Sequence, residues 1–131
     1  MFKKQITYTD FNGTERKEDF YFHMSVQEAT RLQAKHNGQP LDVYAKNLAA
    51  NQDIEEMVHF IEEITLMAYG KKSDDGKSFV KSPAIRTEFE YSQAYAELFE
   101  ELMTVPETAE KFAKGIATQT KDMTRPVGAI E

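Results

Sequence analysis

The strongest constraint on the fold is an amphipathic stretch between Asp53 and Tyr69. Its apolar residues recur with the spacing of one helix face, whereas most of its glutamates fall on the other side. Asp53 is a typical N-cap, and Gly70 is a typical terminator. The pattern predicts a long helix whose apolar stripe the rest of the chain must cover. The stripe consists of Ile54, Met57, Val58, Ile61, Ile64 and Ala68, widened by Phe60 and Met67.

Period-two alternation at the start of the chain predicts a β-hairpin. Residues 3–11 and 15–22 form its arms, and Asn12-Gly13 between them is a strong hairpin-turn sequence. An isolated hairpin is marginally stable in water. It must therefore pack on the helices or pair with a further strand.

Capping signals divide the chain after residue 24 into about four to five helices. Ser25 to Glu28 is a capping box, Pro40 can open a short second helix, and Ser82-Pro83 starts a segment that reaches Met103 with a break near Ser92. We expect an α+β fold, an N-terminal β-hairpin packed on a mostly α-helical bundle. We expect one globular domain over 1–117, with the hairpin at 1–24, the helical part at 25–117 and a connector at 71–82. Residues 118–131 are expected to be a flexible tail.

Charge is unevenly distributed. The chain carries a net −6, but residues 71–87 carry +3, and residues 88–110 carry −7 from seven glutamates and no base. Nucleic acid is not an expected partner, since phosphate binding needs a basic face and not one short loop. The chain has no cysteine, no apolar run of membrane-spanning length and no signal-peptide pattern at residues 1–10. We therefore expect a cytoplasmic protein without membrane contact.

Motifs that could support catalysis are incomplete. Gly76-Lys77-Ser78 resembles the end of a phosphate-binding loop, but the first glycine of that loop would fall on Lys71. Glu55, His59 and Glu62 share one helix face, yet a carboxylate-bridged metal site needs a second such helix. We expect no catalytic residue, no metal and no cofactor. A metal-dependent enzyme using His59 and the glutamates remains the enzymatic alternative.

A protein-binding role is favoured by the aromatic segment after Phe89. Its apolar residues fall on two sides of the predicted helix, which indicates a partner or self-association. The expected apolar contacts are Tyr91, Tyr95, Leu98, Phe99 and Leu102. The expected basic rim consists of Lys71, Lys72, Lys77 and Lys81.

Three strings of this sequence resemble a known family. They are Ala68-Tyr69-Gly70, the segment DGKSFVKSP from Asp75 to Pro83, and AYAELFEEL from Ala94 to Leu102; a Gly115-Ile116 dipeptide follows. Together they resemble the tail assembly chaperones of long-tailed phages and prophages of Gram-positive bacteria. The resemblance covers residues 68–116 well and residues 1–67 in outline.

The resemblance implies a non-enzymatic chaperone in the bacterial host cytoplasm during phage assembly. Its implied partner is the tape measure protein, which such chaperones keep soluble before the tail tube assembles, and the tail tube protein is a further implied partner. Two alternatives stay open: a small regulatory protein-binding module, and a structural component that remains in the virion.

Overall fold

The computed structural model describes residues 1–116, and within them it contains a four-stranded antiparallel sheet and six helices. The α+β class is therefore confirmed. The expected tail at 118–131 lies outside the described residues. In chain order, the elements are β1 (Phe2–Thr9), β2 (Glu15–Phe22), α1 (Val26–Lys35), α2 (Leu41–Asn51), α3 (Ile54–Ala68), β3 (Tyr69–Lys72), β4 (Phe79–Val80), α4 (Pro83–Glu90), α5 (Gln93–Thr104) and α6 (Pro106–Ile116).

The predicted N-terminal hairpin forms. β1 and β2 are antiparallel, with Phe2 opposite Phe22 and Ile6 opposite Glu18. Their connection spans residues 10–14, and the Asp10 carboxylate accepts N–H bonds of 2.9 Å from both Asn12 and Thr14. The turn is therefore longer than the tight Asn-Gly turn that the sequence predicts.

The additional strand that the hairpin needs is β3, which the sequence analysis did not predict. Tyr21 of β2 lies opposite Gly70 of β3, and β4 continues the sheet with Phe79 opposite Lys72. The sequence carries no clear signal for this strand, because β3 follows α3 without a loop. Tyr69 is both the C-cap of α3 and the first residue of the strand, with φ −67° and ψ 140°.

The predicted break at Ser92 is a full separation between α4 and α5. The Ser92 hydroxyl accepts the Tyr95 N–H at 3.2 Å and donates to the Phe89 carbonyl at 2.6 Å. Capping from one serine thus ends one helix and begins the next. This separation gives six helices in residues 1–116 where four to five were expected.

Helix α3 buries most of its predicted stripe together with Phe60 and Thr65. Its buried residues are Met57, Phe60, Ile61, Ile64, Thr65 and Ala68. Ile54, by contrast, is 66% exposed at the helix start. The inner face of the sheet and α2, α5 and α6 complete the core with Phe22, Leu41, Leu98, Leu102, Phe112 and Ile116. Within residues 1–116, no helix has the length and apolarity that crossing a bilayer requires.

Candidate functional site

Lys81 is a structural residue at the centre of the segment that carries the family resemblance. Its ammonium donates to the carbonyls of His23 at 3.0 Å and Met67 at 3.2 Å, and to the Glu28 carboxylate at 2.6 Å. Glu28 also accepts the Ser25 N–H at 3.0 Å in the α1 capping box. Burial would raise the pKa of Glu28, but the bonds from Lys81 and Ser25 outweigh it and hold the pKa below its ordinary value. Lys81 therefore ties three parts of the chain together, and it also lines the α1 end of the groove described below.

Close packing explains Gly70 and Phe79 in the same segment. A β-carbon on Gly70 would lie 2.6 Å from the Phe79 ring and 2.8 Å from Lys81 Cγ, so only glycine fits without rearrangement. The half-buried Phe79 ring meets the His23 ring edge-on, at a centroid distance of 6.1 Å. These residues build the junction between α3, β3 and β4, and the fold itself accounts for them.

The other predicted basic-rim residues lie on the β3–β4 hairpin. Lys71 is exposed and lies 3.4 Å from Glu88. The Lys72 ammonium lies 5.4 Å from the centre of the Tyr21 ring, and Lys77 is exposed beside the Gly76 turn. These three lysines share a hairpin but do not line the groove described below.

Three of the predicted apolar contacts are part of the core. Leu98 is 1% exposed, Leu102 is 0% exposed and Tyr95 is 8% exposed. Leu98 and Leu102 have no surface to offer a partner in this fold, because α5 packs between β1, α3 and α6. Tyr91 is 73% exposed between α4 and α5, and Phe99 is half-buried on the outer side of α5.

A groove runs along α3, and we refer to it as the α3 groove. At its α1 end, a cavity of about 860 Å³ lies between α1, α3 and α4. At its α5 end, a second cavity of about 540 Å³ lies between α3 and α5. Glu62 and Glu90 line both cavities, so the two are adjacent. The apolar lining is Leu32, Leu66, Met67, Tyr69 and Pro83 at the α1 end, and Tyr95, Ala96, Phe99 and Met103 at the α5 end.

The lining suits protein binding. Half-buried Met67 and Met103 offer flexible, polarisable side chains, one at each end of the groove. Burial raises the pKa of Tyr95, and the nearby Glu62 and Glu90 raise it further, so the phenol stays neutral. Its hydroxyl lies 3.1 Å from Thr65 Oγ1 and fixes the ring at the groove wall.

Some charged groups in the groove are neutralised within the fold. At the α1 end, Glu63 lies 2.6 Å from the Lys35 ammonium and 2.7 Å from the His36 ring. Glu28 and Lys81 neutralise each other in the same way.

Other charges in the groove remain unbalanced. Glu62, Glu90 and Glu100 form no ion pair with any residue of the described range, and neither do Arg31 and Arg86. The α5 end therefore presents unpaired carboxylates and no unpaired base, while the α1 end presents two guanidinium groups beside the shared Glu62 and Glu90.

The sequence analysis found Tyr95 and Phe99 of this groove but missed its other wall. Leu66 follows Glu62 by one turn on the polar side of α3, and an apolar residue at such a position is a signal for an exposed apolar surface; Met67, expected at the edge of the core stripe, lies beside it in the groove. Over residues 1–116, no group of three or more histidine, aspartate or glutamate side chains is placed to hold a metal ion. The metal alternative at Glu55, His59 and Glu62 thus gains no geometric support.

Comparison with known proteins identifies the family. No curated protein and no solved structure matches the chain significantly. A family model described as phage tail assembly chaperone matches residues 1–123, which is most of the chain. The chain belongs to the phage tail assembly chaperone family.

Proposed function

We propose that this protein binds the tape measure protein through the α3 groove and keeps it soluble until the tail tube assembles. The observation that carries the proposal is an open apolar groove, bordered by charged side chains, in a member of the tail assembly chaperone family. A groove of this kind suits an amphipathic helix, which buries its apolar face and keeps its polar face in water.

The charge of the chain supports a solubilising role. A net −6 keeps complexes of the chaperone and an apolar client apart by electrostatic repulsion. We further propose a non-enzymatic protein in the cytoplasm of a bacterial host, recruiting tail tube subunits after the tape measure protein. The resemblance to proteins of long-tailed phages of Gram-positive bacteria supports this extension.

Co-expression tests the proposal. The chain is produced together with the tape measure protein encoded nearby, and the soluble fraction of that partner is compared with its fraction when expressed alone. An unrelated acidic protein of similar size is the control for charge. We expect the tape measure protein to become soluble and to co-purify only with this chain.

Two results would refute the proposal. One is a tape measure protein that stays insoluble and absent from the purified chain. The other is an equal gain in solubility with the unrelated acidic protein, which would show that charge alone suffices.

A further inference from the structure

We infer that the α3 groove selects a single amphipathic helix whose charges are segregated, with basic side chains toward one end of its apolar stripe and acidic side chains toward the other. This inference rests on the proposed function, because it specifies the chemistry of the partner in the same groove. It follows from the layout of the unbalanced charges and from the secondary structure of the groove walls.

The walls of the groove favour a helix over an extended strand. α1, α3, α4 and α5 supply the residues that line most of it, and helices satisfy their own backbone hydrogen bonds internally. An extended segment would meet mainly these helical walls, whose backbone groups are already paired, and its own N–H and C=O groups would stay unmatched there. A helix enters with its own backbone already paired.

The unpaired charges change sign along the groove. Glu62 and Glu90 line both cavities, Glu100 lines only the α5 end, and Arg31 and Arg86 line only the α1 end. The other acids at the α1 end, Glu28 and Glu63, are already paired with lysines. A bound helix therefore gains when its Lys or Arg side chains face the α5 end and its Asp or Glu side chains face the α1 end.

Two designed helical peptides of identical composition and apolar stripe test this inference. One carries lysines beside the stripe in one half and glutamates in the other half; the second carries the same residues evenly mixed. Because a helix can lie in the groove in either direction, the segregated peptide can always align its charges. We expect the native chain to bind the segregated peptide about three- to tenfold more tightly, measured by fluorescence anisotropy at low salt.

Charge reversal in the protein provides the matched comparison. Arg31→Glu with Arg86→Glu makes the groove acidic throughout, so the preference should fall to about twofold or less. Lys17→Glu with Lys46→Glu makes the same charge change at exposed residues outside the groove and should preserve the preference. Circular dichroism establishes that both variants keep the helical content of the native chain.

The inference is overturned if the native chain binds both peptides equally or binds neither, or if the control variant loses the preference as completely as the groove variant. Equal binding combined with co-purification of the tape measure protein would remove the charge inference and leave the proposed function intact. A clear peptide preference without co-purification of the tape measure protein would support the charge inference and refute the proposed function.

Discussion

At the residue scale, Lys81 shows how one side chain can hold a family-like motif in place. Its three acceptors belong to the end of β2, to α1 and to α3, which are far apart in sequence. From the sequence alone, a lysine in a basic loop is expected to have a solvated side chain. Only the fold reveals that this ammonium satisfies two backbone carbonyls and a half-buried carboxylate.

Removing that ammonium should destabilise the protein. Lys81→Met removes the ammonium from the His23 and Met67 carbonyls and leaves the Glu28 carboxylate without its cation, and we expect a loss of about 2–3 kcal/mol in the free energy of unfolding. Urea denaturation measures it. Lys77→Met, at an exposed lysine of the adjacent hairpin, should change stability by less than about 0.5 kcal/mol. Equal effects of the two substitutions would show that Lys81 is not a structural centre.

Gly115 is explained by the approach of Phe2. A β-carbon at Gly115 would lie 2.5 Å from Phe2 Cδ2, and the Phe2 ring packs edge-on against Phe112 at a centroid distance of 5.2 Å. Gly115→Ala should therefore lower the thermal midpoint of the native chain. In a Phe2→Ala background it should have no cost, because the clash is removed and alanine favours the helix. An unchanged cost in both backgrounds would refute the contact as the cause.

At the element scale, α5 shows what periodicity can and cannot predict. The strings of apolar residues correctly predicted a helix there, and α3 likewise, because helix formation depends on local spacing. The apolar spacing could not show which of the neighbouring residues Leu98 and Phe99 is buried, since both sides of α5 are apolar. Which side of α5 is buried depends on β1, α3 and α6, which cover one side and leave the other partly open. The groove was missed for the same reason: it depends on which helices flank α3.

Substitutions on the two sides of α5 should differ accordingly. Leu98→Ala removes a fully buried side chain, and we expect it to cost about 2–4 kcal/mol in urea denaturation. Phe99→Ala, at a half-buried position on the groove, should cost less than about 1.5 kcal/mol. A larger cost at Phe99 than at Leu98 would reverse this assignment of the faces.

Glu28, in the capping box at the start of α1, should make the stability of the protein depend on pH. The folded pKa of Glu28 lies below its ordinary value of 4.5, so its contribution is present above that pH and is lost as the pH falls through the folded pKa. Glu28→Gln should start with a lower thermal midpoint and lose less of it between about pH 6 and pH 3. Glu97→Gln, at an exposed glutamate, is the control. Identical pH profiles for the native chain and Glu28→Gln would contradict this role.

At the scale of the whole molecule, the residues that identify the family serve both the fold and the groove. Gly70, Phe79 and Gly115 are explained by close packing, whereas other residues of the same strings line the groove, namely Tyr69, Lys81, Pro83, Tyr95, Ala96 and Phe99. The sequence strings thus identified the family and one part of the groove, and the periodic pattern identified the class of fold. The rest of the groove, from α1 and α3, required the packing of distant helices, which no single string encodes.

The most direct test of the account is the amount of tape measure protein that co-purifies with Ala96→Arg. Ala96 is exposed and lines the α5 end of the groove, so arginine there obstructs the groove at little cost to helix stability. Ala50→Arg introduces the same side chain at an exposed position of α2, away from the groove. We predict that Ala96→Arg reduces co-purification at least about tenfold and that Ala50→Arg leaves it unchanged. Equal co-purification by Ala96→Arg and the native chain would contradict the assignment of the α3 groove as the partner site.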